Sequence, residues 1–139
     1  MAIVARLPQD FVDQMIAHAR EDAPIECCGL LAAKDGVITG LYRARNVEAS
    51  PYRFSVDPLE TRRIEEAMDA SGTELAGFYH SHTGSPAIPS PTDIRQMGTF
   101  FGPPYVHFVI GLADPENPEV RVWYIEGGDR VEHEYEITS

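Results

Sequence analysis

ELAGFYHSHTGSPAIPSPTDIRQ, residues 74–96, opens as a nearly continuous apolar run, sets two histidines one residue apart at its end, and then turns to proline, serine and aspartate. A short apolar run bounded by turn residues reads as a strand covered on both faces. In SPTDIRQMGTF, residues 90–100, Ser90 is a natural helix N-cap, Pro91 suits the first helical position and Asp93 falls two places on, so a helix is expected to start there and run through the segment. The stretch therefore runs strand, stiff loop, helix. Residues i and i+2 of a strand point to the same side, which lets His80 and His82 converge on one point. Asp93 follows in the first turn of the helix, and Pro86, Pro89 and Pro91 restrict the loop that must bring it back.

Two imidazoles alone hold a metal weakly. Two histidines and a carboxylate make three ligands and leave the fourth tetrahedral zinc position to water, the arrangement of a catalytic rather than a structural site. The same residues also make an ordinary capped helix beside a solvent-facing His pair. Their joint spacing, H-x-H, seven residues, Ser, two residues, Asp, falls where a strand passes into a helix, and that context favours the metal reading.

Working outward, LPQDFVDQMIAHARED carries Phe11, Val12, Met15, Ile16 and Ala19 at helical spacing and ends before Pro24. CCGLLAA and VITGLYRA read as two strands joined by a hairpin turn at Lys34-Asp35-Gly36. YRFSV reads as a short strand, and DPLETRRIEEAMDA as a helix with Asp57 as N-cap and Ile64, Ala67 and Met68 on one face. YVHFVIGL is a second apolar run, so it and ELAGFYH are expected at the centre of the sheet. VRVWYI and VEHEYEIT follow, linked by Gly127-Gly128. In the last of these Val131, His133, Tyr135 and Ile137 alternate with glutamates, as in a half-solvated strand near an edge. The expected fold is α/β, one mostly antiparallel or mixed sheet with helices, in a single domain over residues 1–139.

Length and composition agree with that reading, because 139 residues is the size of one ordinary domain. With 22 acidic and 11 basic residues the net charge is −11, which argues against nucleic acid and anionic membrane as partners. No apolar run approaches the ~18 residues needed to span a bilayer, and MAIVARLPQD lacks the pattern of a secretory signal, so a cytoplasmic location is expected. The two cysteines, Cys27 and Cys28, are chain neighbours. Their Cα atoms lie ~3.8 Å apart, closer than ordinary disulfide geometry allows, and the bland reading of each is a small buried side chain rather than a reactive thiol. His107, His18 and His133 sit in ordinary strand and helix patterns and are not taken as ligands.

His80-Ser81-His82, Ser90 and Asp93, with Glu26 in IECCGLL, resemble the JAMM motif of the MPN-plus zinc metalloproteases. The segment NVEASPYRFSVDP and the helix ahead of the E-x-C-G-L-L strand are similar to compact bacterial members. The resemblance implies a cytidine-deaminase-like (JAB/MPN) fold. It also implies that His80, His82 and Asp93 bind Zn2+, that Glu26 takes the proton of the metal's water, and that Ser90 stabilises the oxyanion. Without the resemblance, Glu26 reads as a surface glutamate at a strand start. Thr83 departs from the family, where many members have proline, and this bears on the loop's shape and on substrate fit.

The implied reaction is hydrolysis of the amide or isopeptide bond after the Gly-Gly tail of a ubiquitin-like protein, in compact relatives a sulfur-carrier protein. YRFSV or a neighbouring edge would hold that tail as an added strand. Three other readings compete with it: a metal-free MPN-type protein-binding module, a zinc deaminase, and a DNA-repair-associated relative. The complete ligand set argues against the first. The second lacks the H-x-E and P-C-x-x-C pattern, and no basic extension supports the third.

Overall fold

The computed structural model describes residues 2–138, and over these the chain forms β1 (Ile3–Pro8), α1 (Gln9–Asp22), β2 (Cys28–Lys34), β3 (Val37–Ala44), α2 (Pro58–Ala70), β4 (Glu74–His82), α3 (Pro91–Gly98), β5 (Val106–Gly111), β6 (Glu119–Glu126) and β7 (Asp129–Thr138). The strands join in one mixed sheet of order β1-β7-β6-β5-β4-β2-β3. β1 runs parallel to β7 and β4 parallel to β5, and the other neighbours are antiparallel. The two apolar runs, β4 and β5, lie side by side in the interior of the sheet, as their patterning requires.

Helices cover both faces. On one side Val12, Met15 and Ala19 of α1 pack on Leu31, Tyr79, Phe108 and Ile110. On the other, Ile64 and Met68 of α2 and Met97 of α3 pack with Leu30, Phe78 and Ile125. Each fully buried side chain of this size contributes roughly 1.5–3 kcal/mol. Period-2 alternation assigns Tyr79 to the α1 face and Phe78 to the α2/α3 face. His80 and His82, of the same parity as Phe78, are thus turned towards α3. Gly29 has no room for a side chain, since a Cβ there would fall into the Tyr79 ring. The β2–β3 hairpin turns through Asp35 and Gly36, both at positive φ, the conformation that makes Asp-Gly a strong turn signal.

Three expectations are corrected. The N-terminal helix does not begin at Leu7: Ile3–Pro8 is a strand and the helix starts at Gln9. Parallel pairing of that strand with β7 gives it backbone partners that the following helix cannot, and it leaves β7 one place in from the edge. YRFSV belongs to no strand. The Arg53 carbonyl and the Ser55 N–H are held instead by Asn46, whose Nδ2 donates to the carbonyls of Glu26 and Arg53, and whose Oδ1 accepts from the N–H groups of Glu48 and Ser55. Gln96 Nε2 donates to the Phe54 carbonyl and the Val47 N–H to that of Ser55. The third helix closes at Gly98, short of the expected Phe100. Among the described residues no helix is long and apolar enough to cross a membrane.

Candidate metal centre

Three elements meet at the C-terminal end of β4. His80 and His82 project from the strand, Asp93 from the first turn of α3, and Glu26 from the residues leading into β2. Antiparallel pairing sets Cys28 against His80, and beyond it Ser81 N–H donates to the Cys27 carbonyl at 3.1 Å. Continuing that register by two residues brings Glu26 to His82. The Glu26 backbone is held by its own N–H on the Ser50 carbonyl and by Asn46 on its C=O.

Asp93 is turned inward by a capping box at the start of α3. Asp93 N–H donates to Ser90 Oγ at 3.1 Å, and Ser90 N–H donates to Asp93 Oδ2 at 2.8 Å. The same Oδ2 lies 3.0 Å from His80 Nε2 and 3.1 Å from His82 Nε2, and the two Nε2 atoms are 3.2 Å apart. All three side chains are buried, with His80 4%, His82 5% and Asp93 2% exposed. Phe54, from the Asn46-held segment, stacks on the His80 ring with centroids 4.5 Å apart.

This triangle fits a small divalent cation. Tetrahedral zinc with bonds of about 2.0–2.1 Å separates its ligand atoms by roughly 3.3 Å, close to the edges found here. His82 Nδ1 lies 2.8 Å from the Pro86 carbonyl, which can only accept, so Nδ1 carries the proton. A neutral His82 therefore turns a bare Nε2 lone pair towards the carboxylate oxygen, and a proton or a cation must lie between them. The Pro86 contact is the outer-shell support that fixes a ligating imidazole's tautomer.

Electrostatics point the same way. Burial alone would raise the Asp93 pKa, but the adjacent His80 and His82 and the Ser90 N–H hold it well below the usual carboxylate range. Burial pulls His82 down, and hydrogen bonds to Asp93 and the Pro86 carbonyl outweigh it, giving a net rise. Glu26 is different. Burial pushes its carboxyl up to about 8, His82 opposing and Asp93 adding to the rise. Its Oε1 is buried with no hydrogen-bond partner. Its carboxylate and the ligand atoms of His80 and His82 lie within 4.8 Å of one another, a group of three that could itself hold a metal ion. The structure thus sets two buried carboxyls against the imidazoles, Asp93 in hydrogen-bond contact with both rings and Glu26 with an unpartnered oxygen.

Ser90 Oγ accepts the capping bond and keeps its one O–H free to donate, so cap and oxyanion donor are compatible in one hydroxyl. The thiols of Cys27 and Cys28 are fully buried and pushed up to about 12 by burial, which removes them as ligands or nucleophiles. His107 is a satisfied core side chain, its Nε2 donating to the Phe101 carbonyl at 2.8 Å. A cavity of about 650 Å³ opens onto the centre between Arg20, Pro24, Glu26, Tyr52, His82 and Ser90. Sequence patterning did not single out Asn46, Phe54 or Arg20. Asn46 sits in a turn-like stretch and Phe54 in a strand-like one, and neither carries a local signal for its partner.

The family model for prokaryotic homologues of the JAB domain matches residues 8–126. The chain belongs to this family. It is 38% identical over 110 residues to a desampylase of Haloferax volcanii, covering 74% of this chain and 77% of that one. It is 34% identical over 122 residues to the CysO-cysteine peptidase of Mycobacterium bovis, covering 86% and 81%. A protein of Desulfitobacterium hafniense solved in solution superposes with a TM-score of 0.86 at 32% identity, covering 96% of this chain and 92% of the other. Family membership sets aside the deaminase reading and makes the JAB/MPN fold the frame for the site.

Proposed function

We propose that residues 1–139 form one zinc-dependent peptidase domain that hydrolyses the amide bond after the Gly-Gly tail of a ubiquitin-like or sulfur-carrier protein. The observation that carries this is the Nε2–Nε2–Oδ2 triangle of His80, His82 and Asp93 with the unpartnered Glu26 carboxyl beside it. The printed activities of the two relatives, desampylase and CysO-cysteine peptidase, support an enzyme that severs amide bonds on protein conjugates. The two free cysteines suit the reducing cytoplasm.

In this reading His80, His82 and Asp93 would hold the metal. Zinc, when bound, polarises the scissile carbonyl and brings the pKa of a water to about 7. Glu26 removes that water's proton and later delivers it to the departing nitrogen, a task for which a carboxyl poised near neutrality is suited. Ser90 donates its O–H to the carbonyl oxygen as negative charge develops there. Phe54 and the Pro86 carbonyl hold the two imidazoles in place, so little reorganisation is needed at the moment of reaction.

The tail passes its backbone close to the buried triangle, where a Cβ would displace it. Selectivity for glycine thus comes from absence of bulk. Initial rates on a sulfur-carrier substrate ending in Gly-Gly, Gly-Ala or Ala-Gly, each followed by cysteine, test the reading. Strong loss for Gly-Ala is expected. Equal rates across the series would leave a general metallopeptidase, and no cleavage by a zinc-loaded chain would leave a binding module.

A further inference from the structure

The cavity that reaches the metal centre carries one arginine and no lysine. Arg20, in the last turn of α1, lines it together with Glu26, His82 and Ser90. Its Nη2 donates to the Pro115 carbonyl at 3.0 Å, which ties down the end of this otherwise exposed side chain at the cavity wall and leaves its other guanidinium donors without a protein partner among the described residues. Among the described residues Arg20 makes no ion pair, a trait shared with Arg45, Arg53, Arg63, Arg95 and Arg130, and what sets it apart from these is its place on the cavity wall. An arginine without a carboxylate, in a chain of net charge −11, faces a cavity whose walls hold the reacting groups. A guanidinium fork is built to bind a planar carboxylate with two hydrogen bonds.

The connections locate this arginine relative to the bond being cut. Pro115 lies three residues past Leu112, whose N–H donates to the His82 carbonyl at 2.9 Å. Thr83 Oγ1 donates to the Pro24 carbonyl at 3.2 Å, tying the strand end beyond His82 to the segment that follows α1. Arg20 is thus anchored to the His82 side of the centre from two directions. Glu26 must reach the departing nitrogen, so the leaving group lies in the cavity that Glu26 lines, the one that also contains Arg20. A residue adds at most about 3.3–3.6 Å of extended chain, so a leaving segment of one or two residues ends inside a cavity of about 650 Å³.

We infer that Arg20 is a specificity-determining residue that receives the free α-carboxylate of a short C-terminal leaving group. The enzyme is then an end-trimming peptidase, preferring a Gly-Gly tail extended by one or two residues over a Gly-Gly tail joined to a lysine side chain within a protein. This rests on the peptidase reading above and names the substrate class for that site. Thr83, which replaces the family's common proline, supplies a hydroxyl tie that proline could not.

The test compares Gly-Gly-Cys substrates bearing a C-terminal acid with the same substrates as C-terminal amides and with Gly-Gly linked to a lysine ε-amine. The acid is expected to show a KM lower than the amide by roughly 10- to 100-fold, the size of a lost charge-assisted carboxylate contact, with kcat little changed. Arg20→Gln keeps a donor for Pro115 but removes the charge. It should raise KM for the acid to that of the amide and leave the melting temperature unchanged. Binding of the acid and amide peptides to the Glu26→Gln chain, read by calorimetry, should show the same difference without turnover. Equal KM and equal binding for acid and amide, with cleavage intact, would overturn the role of Arg20 while sustaining the peptidase reading. Discrimination that persists in Arg20→Gln would also overturn it. No cleavage of any Gly-Gly substrate, and no binding, would remove both.

Discussion

Cys28 of β2 lies directly opposite His80 of β4 in the antiparallel register. The pairing fixes which residue of the segment before β2 meets the centre. Two positions outward from Cys28 stands Glu26 and two outward from His80 stands His82, so a shift of one residue would present Ile25 or Cys27 to the centre instead. The histidines are local neighbours, but Glu26 reaches them only through the sheet.

Purified protein is expected to hold about one zinc per chain. Replacing His80 or His82 by Ala, or Asp93 by Asn, should lower the metal content by tenfold or more under matched dialysis, measured by elemental analysis. Unchanged occupancy in all three variants would sink the ligand assignment.

Glu26→Gln should retain zinc and lose turnover, because the amide keeps the shape but cannot accept a proton. Loss of metal in this variant would instead make Glu26 a ligand. Ser90→Ala should retain zinc and lose about 100-fold in kcat if its hydroxyl meets the oxyanion. A near-wild-type rate with a lower unfolding midpoint would leave it a helix cap.

Asn46→Ala should destabilise the chain by about 2–4 kcal/mol, since four backbone groups lose their partner, one in a buried and three in a partly buried setting. Urea unfolding measures the loss. Turnover should fall as well, because the same amide positions the Glu26 carbonyl and the segment bearing Phe54. Full activity at low temperature with only the stability changed would separate the clamp from catalysis.

His107 sets a pH dependence of stability. Burial pushes its pKa down to about 4, the hydrogen bond to the Phe101 carbonyl opposing and the nearby His80 adding to the fall. An unfolded histidine titrates near ~6.5, so between these values the unfolded chain binds more protons and stability falls as pH falls. The full loss is on the order of 3 kcal/mol, spread from about pH 6.5 to about pH 4. His107→Gln should flatten that part of the curve in denaturant titrations, and an unchanged slope would show that other groups carry it.

The centre was legible in the sequence to the extent that its signals are local. Period-2 geometry aligns His80 with His82, and a capping box spanning four residues turns Asp93 inward, so short-range rules suffice for the triangle. The Asp35-Gly36 hairpin and the two buried runs are equally local, and with them the mixed sheet. Glu26 entered only through a family resemblance, because nothing in IECCGLL states which strand it will pair with.

What the tertiary structure alone decided are contacts whose partners lie far apart in the chain. Ile3–Pro8 is a strand because β7, some 130 residues later, offers it a parallel edge, and six residues carry too little pattern to announce that. YRFSV has strand-like composition yet joins no ladder, taking its hydrogen bonds from the Asn46, Gln96 and Ser50 side chains and the Val47 N–H, partners that composition does not encode. Arg20 reads as an ordinary basic residue closing a helix, and only packing of α1 beside the β4 end and the Pro115 loop brings it to the cavity. Propensity and periodicity act over a turn or a strand, whereas these placements depend on which surfaces the folded sheet brings together.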